Sequence, residues 1–310
     1  MKELIFIEPI FKSMIWGGER LKKDFNYDVQ GDNVGECWAI SAHENGDCNV
    51  LSKNMTLSEL WDKHRELFGN MEGEKFPLLI KIIDAKTDLS IQVHPDDEYA
   101  GKNENGSLGK TECWYVLDCD EDATIVIGHN AKDKAELKEM IEGRRWSEFI
   151  REIPVHKGDF FQIEPGCLHA IKGGTMILET QQNSDITYRV YDYDRLQNGK
   201  PRELHVKQSI DVIRAPFKEI KNQTVVKVYD GYTSERLIAC EFYTVEKIKI
   251  EKKAVINQPY NFMNVSVISG KGTVDGIPVK KGSHFIIPYG YGEAVYEGEM
   301  ETIISYISLN

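Results

Sequence analysis

SIQVHPDD, residues 90–97, sets a glutamine and a histidine two apart just downstream of the hydrophobic run LLIKIID at 78–84. In an extended chain, residues two apart share a face, with Cα atoms roughly 6.5–7 Å apart. Leu89, Ile91 and Val93 then face a packed layer, while Ser90, Gln92 and His94 face the other way. KTECWYVL at 110–117 alternates in the same manner, so Lys110, Glu112 and Trp114 share a face. A second histidine, His169, follows a tight Pro–Gly turn in GDFFQIEPGCLHAI at 158–171. Gln92, His94, Glu112 and His169 make a mixed nitrogen and oxygen donor set that suits Zn²⁺, and by geometry Fe²⁺ or Mn²⁺. The spacing is not that of a zinc finger, and no HExxH is present. The competing structural account makes each histidine a hydrogen-bonded group near a turn and pairs Glu112 with a lysine. Polar faces recurring on otherwise apolar strands weigh toward the site.

Lys81 stands among Leu78, Leu79, Ile80, Ile82 and Ile83, so its face is expected to point inside. Burial disfavours an ammonium, which suits a proton-transferring base. The alternative is an edge-strand lysine that lays its stem on apolar surface and keeps its nitrogen in water. Lys110 points inward if Glu112 does, to hold an oxyanion or phosphate or to balance the carboxylate. Asp185, four residues before Arg189, is a candidate for orienting that arginine or a hydroxyl, with turn capping as the alternative. Arg189 shares a face with Tyr191, and taken alone it also reads as half of a surface salt bridge. Trp16, Trp38 and Trp114 read as core aromatics, and His43 fits either a structural or a functional role. His129, His156, His205 and His284 have no motif support.

The elements that must position these residues are mostly short strands broken by Gly, Pro, Asn and Asp. Three stretches read as helical: 56–69 with a Thr cap and a terminal glycine, 132–153 broken near Gly143, and 202–214. Strands in close succession with few helices predict a mainly β, antiparallel architecture. GDFFQIEPGCLHAI from Gly158 has a partner in GSHFIIPYGYGEAV from Gly282, an internal repeat in which Glu293 or its neighbours stand where His169 stands. One copy is read as metal-binding and the other as having lost that role. The chain divides accordingly into a metal-binding unit with helical additions at 1–235 and a small β unit without metal at 236–310.

A chain of 310 residues that is 41% hydrophobic and 10% aromatic is globular, and no run of 18 apolar residues spans a membrane. The N-terminus lacks the apolar core and cleavage site of a secretory signal. Six scattered cysteines without a CxxC pair suit reduced thiols in a cytoplasmic protein. A net charge of −12 argues against nucleic acid or an anionic membrane as partner, but leaves room for a small anion in a local basic pocket.

The pattern from Gly158 to His169 resembles the second motif of the cupin superfamily, although Pro165 sits directly before Gly166 rather than two before it. WGG at 16–18, GECWAISAH at 35–43, SIQVHPDD, GKTECWYVL at 109–117, PGCLHAI and QQNSDITYRVYDYDR at 181–195 resemble type I mannose-6-phosphate isomerases, in family order over most of residues 1–215. The resemblance implies a bicupin fold of two β-barrel or jelly-roll domains. It implies one zinc per chain held by Gln92, His94, Glu112 and His169, with Arg189 as the active-site arginine. It also implies an aldose–ketose isomerase that interconverts mannose 6-phosphate and fructose 6-phosphate through an enediol. The stretch between Glu112 and His169 is shorter than in the long members of the family, so this chain resembles the compact bacterial form. Isomerisation of another phosphosugar, a cupin oxygenase using Fe²⁺, and a sugar-sensing protein without turnover are the rival readings. The expected partner is a small phosphosugar, and the chain is expected as a monomer or homodimer.

Overall fold

The computed structural model describes residues 3–220 and 224–307. Two buried strands with a charged residue at their centre, Leu78–Ala85 and Thr175–Gln182, form the middle of a six-stranded sheet. Its strand order is Phe160–Ile163, Glu112–Cys119, Thr175–Gln182, Leu78–Ala85, Ile10–Gly18 and Val34–Ile40. Every residue of the two central strands is buried because both faces of the sheet are covered. On one face Ile83, Trp114, Val116 and Ile177 pack against Ile125, Ile127 and Ile171 of a second sheet. On the other, Ile80, Ile82, Tyr115 and Leu178 pack against Leu237, Val245, Phe262 and Ile303 of the C-terminal sheet. Double coverage is why Leu78–Ala85 reads as a nearly continuous hydrophobic run, and why the polar residues of Thr175–Gln182 are buried as well. Each buried apolar side chain stabilises the fold by about 1.5–3 kcal/mol relative to exposure, which makes this sheet a firm platform for anything polar set into it.

The second sheet has five strands, in the order Ile150–Pro154, Thr124–His129, His169–Ile171, Ile91–Val93 and Tyr188–Tyr191. Its outer face is closed by the helices Lys134–Glu142, Trp146–Phe149 and Val206–Val212, whose Leu137, Met140, Ile141 and Phe149 join Ile91, Val93, Ala170 and Val190. The strand pairs that carry the site are antiparallel. These two facing sheets are of jelly-roll type and do not make a closed barrel. In the C-terminal sheet the core strands are Thr244–Ile250, Gly292–Tyr306, Phe262–Val274 and His284–Pro288, and the N-terminal strand Ile5–Glu8 pairs with His284–Pro288. The division expected at residues 235 and 236 falls inside one strand of this sheet, Tyr232–Ala239.

Helices begin and end where side chains satisfy the chain. Thr56 and Glu59 form a reciprocal capping box on Leu57–Lys63, and Gly69, at φ 66°, closes the turn that follows. In 132–153 the first helix stops at Gly143, and Arg144 adopts φ 53°. The expected second helix is only one turn, because Ile150–Pro154 pairs with Thr124–His129 instead. Two helices were not expected from the sequence, Arg20–Lys23 and Asp97–Asn103. Asp96, inside SIQVHPDD, caps the latter by accepting from the Tyr99 N–H. No helix among the described residues is long and apolar enough to cross a membrane.

Candidate metal centre and active site

The register of the five-stranded sheet sets His169 opposite Gln92 and Gln92 opposite Arg189. Directly opposite residues share a face, so these three side chains stand in a row on the face turned toward the six-stranded sheet. His94 follows at the end of the same strand, and Glu112 approaches from the facing sheet. The Nε2 atoms of His94 and His169 are 3.1 Å apart. Glu112 places Oε1 at 3.2 Å from His169 Nε2 and Oε2 at 3.5 Å from His94 Nε2. The Gln92 amide lies 3.3 Å from His169 Nε2.

The protonation pattern decides what this cluster needs. His94 Nδ1 lies 2.7 Å from the Ile186 carbonyl and His169 Nδ1 2.9 Å from the Cys167 carbonyl. A carbonyl only accepts, so each Nδ1 carries the hydrogen and each Nε2 is bare. Burial keeps both rings neutral, holding His169 down to about 4 and His94 well below its ordinary range. Two nitrogen lone pairs and a fully buried carboxylate therefore face one another, and Glu112 has no directed hydrogen bond, only the Lys110 ammonium at 2.7 Å from Oε2. Burial and the neighbouring Glu179 both push the Glu112 carboxyl upward. A divalent cation is the group that would satisfy all of these atoms at once, and Gln92 can turn its amide oxygen toward it. Among the described residues, His94, Glu112 and His169 are the His/Cys/Asp/Glu group the fold brings together in this way, with their donor atoms within 4.8 Å of one another.

A second row crosses the six-stranded sheet, where Trp114, Glu179, Lys81 and Trp38 are successive register partners. Trp114 Nε1 donates to Glu179 Oε2 at 3.1 Å. Glu179 Oε1 lies 3.6 Å from Lys81 Nζ and 3.7 Å from Lys110 Nζ. Lys110 Nζ is also 2.7 Å from Glu112 Oε2. Burial opposes its charge, but Glu112 and Glu179 outweigh that and hold its proton more tightly than usual. Lys81 was expected among apolar neighbours alone. Instead its nitrogen faces Glu179 and lies 4.8 Å from the Trp38 ring centre, which removes the premise of an unpartnered, desolvated amine. Glu179 is a residue the sequence reading missed, as are Arg195 and Arg202. For Glu179 the signal was there: a carboxylate in the middle of TMILETQQ, as conspicuous as the lysine in LLIKIID.

Arg189 donates from Nη1 to the Glu203 carbonyl at 2.9 Å, while its buried Nε has no hydrogen-bond partner. Burial and the nearby Arg202 both disfavour its charge. Arg202 and Arg195 share a single carboxylate, Asp192, each at 2.5 Å. Three guanidiniums around one buried carboxylate leave an excess of positive charge beside Gln92. Asp185 does not orient Arg189, contrary to expectation. His43 Nε2, at 3.4 Å, and Asn45 Nδ2, at 2.5 Å, hold it instead, and the His43 hydrogen bond keeps its carboxyl below the usual carboxylate range.

Residues 4–118 match the family described as phosphomannose isomerase type I, catalytic domain, and residues 233–307 match the mannose-6-phosphate isomerase cupin domain. The chain is 49% identical to mannose-6-phosphate isomerase ManA of Bacillus subtilis (strain 168), over 98% of its own length and 99% of that protein. It is 44% identical to mannose-6-phosphate isomerase of Streptococcus mutans, over 99% of both chains. The crystal structure of the mannose 6-phosphate isomerase from Bacillus subtilis superposes with a TM-score of 0.97 at 45% identity, covering 99% of this chain and all of that one. Likeness of this extent in both sequence and backbone places the chain in the type I phosphomannose isomerase family.

Proposed function

We infer that the protein interconverts mannose 6-phosphate and fructose 6-phosphate, as an aldose–ketose isomerase with one zinc ion per chain. The observation that carries this reading is the unsatisfied cluster of His94, Glu112, His169 and Gln92 set directly against Lys110, Glu179 and Lys81. Zinc would be held by those four residues, whose neutral imidazoles, carboxylate and amide oxygen match its preferences. When bound it supplies an electrophile that polarises the substrate carbonyl and offsets the charge of an enediolate.

The chain's own residues account for the rest. Isomerisation moves a proton from C2 of the aldose to C1 of the ketose, with a hydroxyl proton moving between O1 and O2. Glu179 has one oxygen anchored by Trp114 and the other without a directed partner, and the surrounding lysines outweigh burial to keep its carboxyl below the usual range. It is placed to take and return the carbon-bound proton. Lys110 and Lys81 supply positive charge where the oxyanion develops. Arg189, with Arg195 and Arg202 behind it, offers the forked donors that a phosphate dianion accepts. Asp185, held by His43 and Asn45, is the candidate acceptor for a sugar hydroxyl. In this reading residues 1–235 carry the chemistry and 236–310 the scaffold. The six cysteines form no disulfide, which supports a reducing, cytoplasmic setting.

The test is coupled turnover of mannose 6-phosphate by purified protein as prepared, after chelation and after zinc is restored. Activity lost and regained is the expected result, and no turnover by folded, zinc-loaded protein sinks the assignment. An Arg202→Ala variant should raise KM by about 10- to 100-fold, the worth of one charge-assisted hydrogen bond or two. Unchanged KM would remove the arginine cluster from the phosphate site.

A further inference from the structure

Asp185 lies in the loop that precedes the strand Tyr188–Tyr191, and its side chain is 37% exposed. An aspartate so placed has free rotamers unless something fixes it. The fixing element comes from 140 residues earlier in the chain, a hairpin formed by Ala42–His43 and Gly46–Asp47. The Asn45 backbone N–H donates to His43 Nδ1 at 3.1 Å, which makes Nδ1 the acceptor and leaves the hydrogen on Nε2. That Nε2 lies 3.4 Å from Asp185 Oδ1, and the Asn45 side-chain amide donates to Oδ2 at 2.5 Å. Both carboxylate oxygens are thereby held from one turn, each by a different residue. His43 is itself buried and packs edge-on against Trp38 at 5.7 Å, the ring that also faces Lys81. The next residue after Asp185, Ile186, provides the carbonyl that accepts from His94 Nδ1. One loop therefore carries the aspartate and orients His94 of the proposed metal site.

We propose that His43, aided by Asn45, is a positioning residue of the isomerase, which sets the tautomer and direction of the contact that aims Asp185 at the substrate. This rests on the isomerase reading above. A third member that orients an acid or base matters because a misplacement of about 1 Å costs on the order of 100-fold in rate. His43→Phe keeps the ring against Trp38 and removes both nitrogens. Its kcat should fall about 10- to 100-fold with KM and zinc content unchanged. His43→Gln, which again presents an N–H to Asp185, should recover most of the loss. His43→Phe combined with Asp185→Asn should be no slower than Asp185→Asn alone, since the two act as one unit. Asn45 is exposed, so Asn45→Ala folds whatever His43→Phe does. It should lose about 2- to 10-fold in kcat, the worth of one hydrogen bond. Losses that multiply in the double variant, or a folded His43→Phe at wild-type kcat beside an impaired Asp185→Asn, would overturn the inference and leave the isomerase reading intact. Asp185→Asn at wild-type kcat would overturn it too, by removing Asp185 from the chemistry. A zinc-loaded wild type without turnover would instead strike the reading beneath it.

Discussion

Two buried histidines, one in each half of the molecule, show what distinguishes a site from a core. His169 and His284 both start a short strand of the repeated strand–turn–strand pattern, and burial pushes both rings down, to about 4 and about 3. His284 is complete: Ser266 Oγ lies 2.9 Å from Nδ1 and the Tyr27 hydroxyl 2.7 Å from Nε2, and that hydroxyl in turn donates to the Gly282 carbonyl. His169 is crowded by acceptors: its Nε2 faces the His94 lone pair and the Glu112 carboxylate, and the donor it meets there is the Gln92 amide at 3.3 Å. Glu293, which the repeat aligns with His169, is exposed. A buried polar residue is therefore no sign of function by itself. What marks the site is a set of buried lone pairs and a carboxylate turned toward one another, the arrangement that a divalent cation would satisfy.

That contrast can be broken by experiment. The largest effect belongs to His169→Ala, which should abolish zinc retention and lower kcat/KM by about 10³-fold or more, several kcal/mol of transition-state stabilisation. Metal analysis and turnover check it, and retained zinc would refute the ligand role. Next, saturating zinc should stabilise the chelated protein by about 2.7 kcal/mol at 100 times the Kd, read as a rise in denaturation midpoint that His169→Ala does not show. His284→Ala should do the reverse of His169→Ala. It strands Ser266 and Tyr27 and costs about 1–3 kcal/mol of stability, while zinc content and turnover per folded molecule stay unchanged. A loss of zinc in that variant would mean the two histidines are not separable.

A further test of the comparison is in pH. Folding lowers His284 from 6.5 to about 3 through burial. Between those values the unfolded chain binds a proton that the folded chain does not. Stability from this residue is thus intact above pH 6.5 and lost as pH falls toward 3, at no more than about 1.4 kcal/mol per pH unit. Urea midpoints of the wild type and a His284→Gln variant across this range should converge as pH falls. Parallel curves would show that His284 does not titrate on unfolding.

Much of the centre was legible in the chain because strands have a period of two. Gln92 and His94 sit two apart, Lys110 and Glu112 likewise, and an apolar partner set fixes which face each pair takes. Lys81 was conspicuous for its apolar neighbours, but those neighbours describe its strand and say nothing of what the adjacent strands bring. Glu179 and Trp38 reach it only through register, and that is what changed its reading. Asp185 was a candidate for orienting Arg189 or a hydroxyl, the former on sequence proximity, and its partners lie in a distant hairpin. The Asp97–Asn103 helix was overlooked because its cap, Asp96, sits within residues read as site.

By itself the sequence determined the mainly antiparallel β class and which residues face inward, since both depend on local periodicity and on burying apolar area. It also carried the motif blocks that tie the chain to its family. Only the tertiary structure decided that His94, Glu112 and His169 converge, that Glu179 stands between two lysines, and that Ile5–Glu8 belongs to the C-terminal sheet. Those outcomes hang on the register between strands far apart in sequence and on the facing of two sheets. Pairings of that kind are chosen by the whole core at once, and no local window of residues contains them.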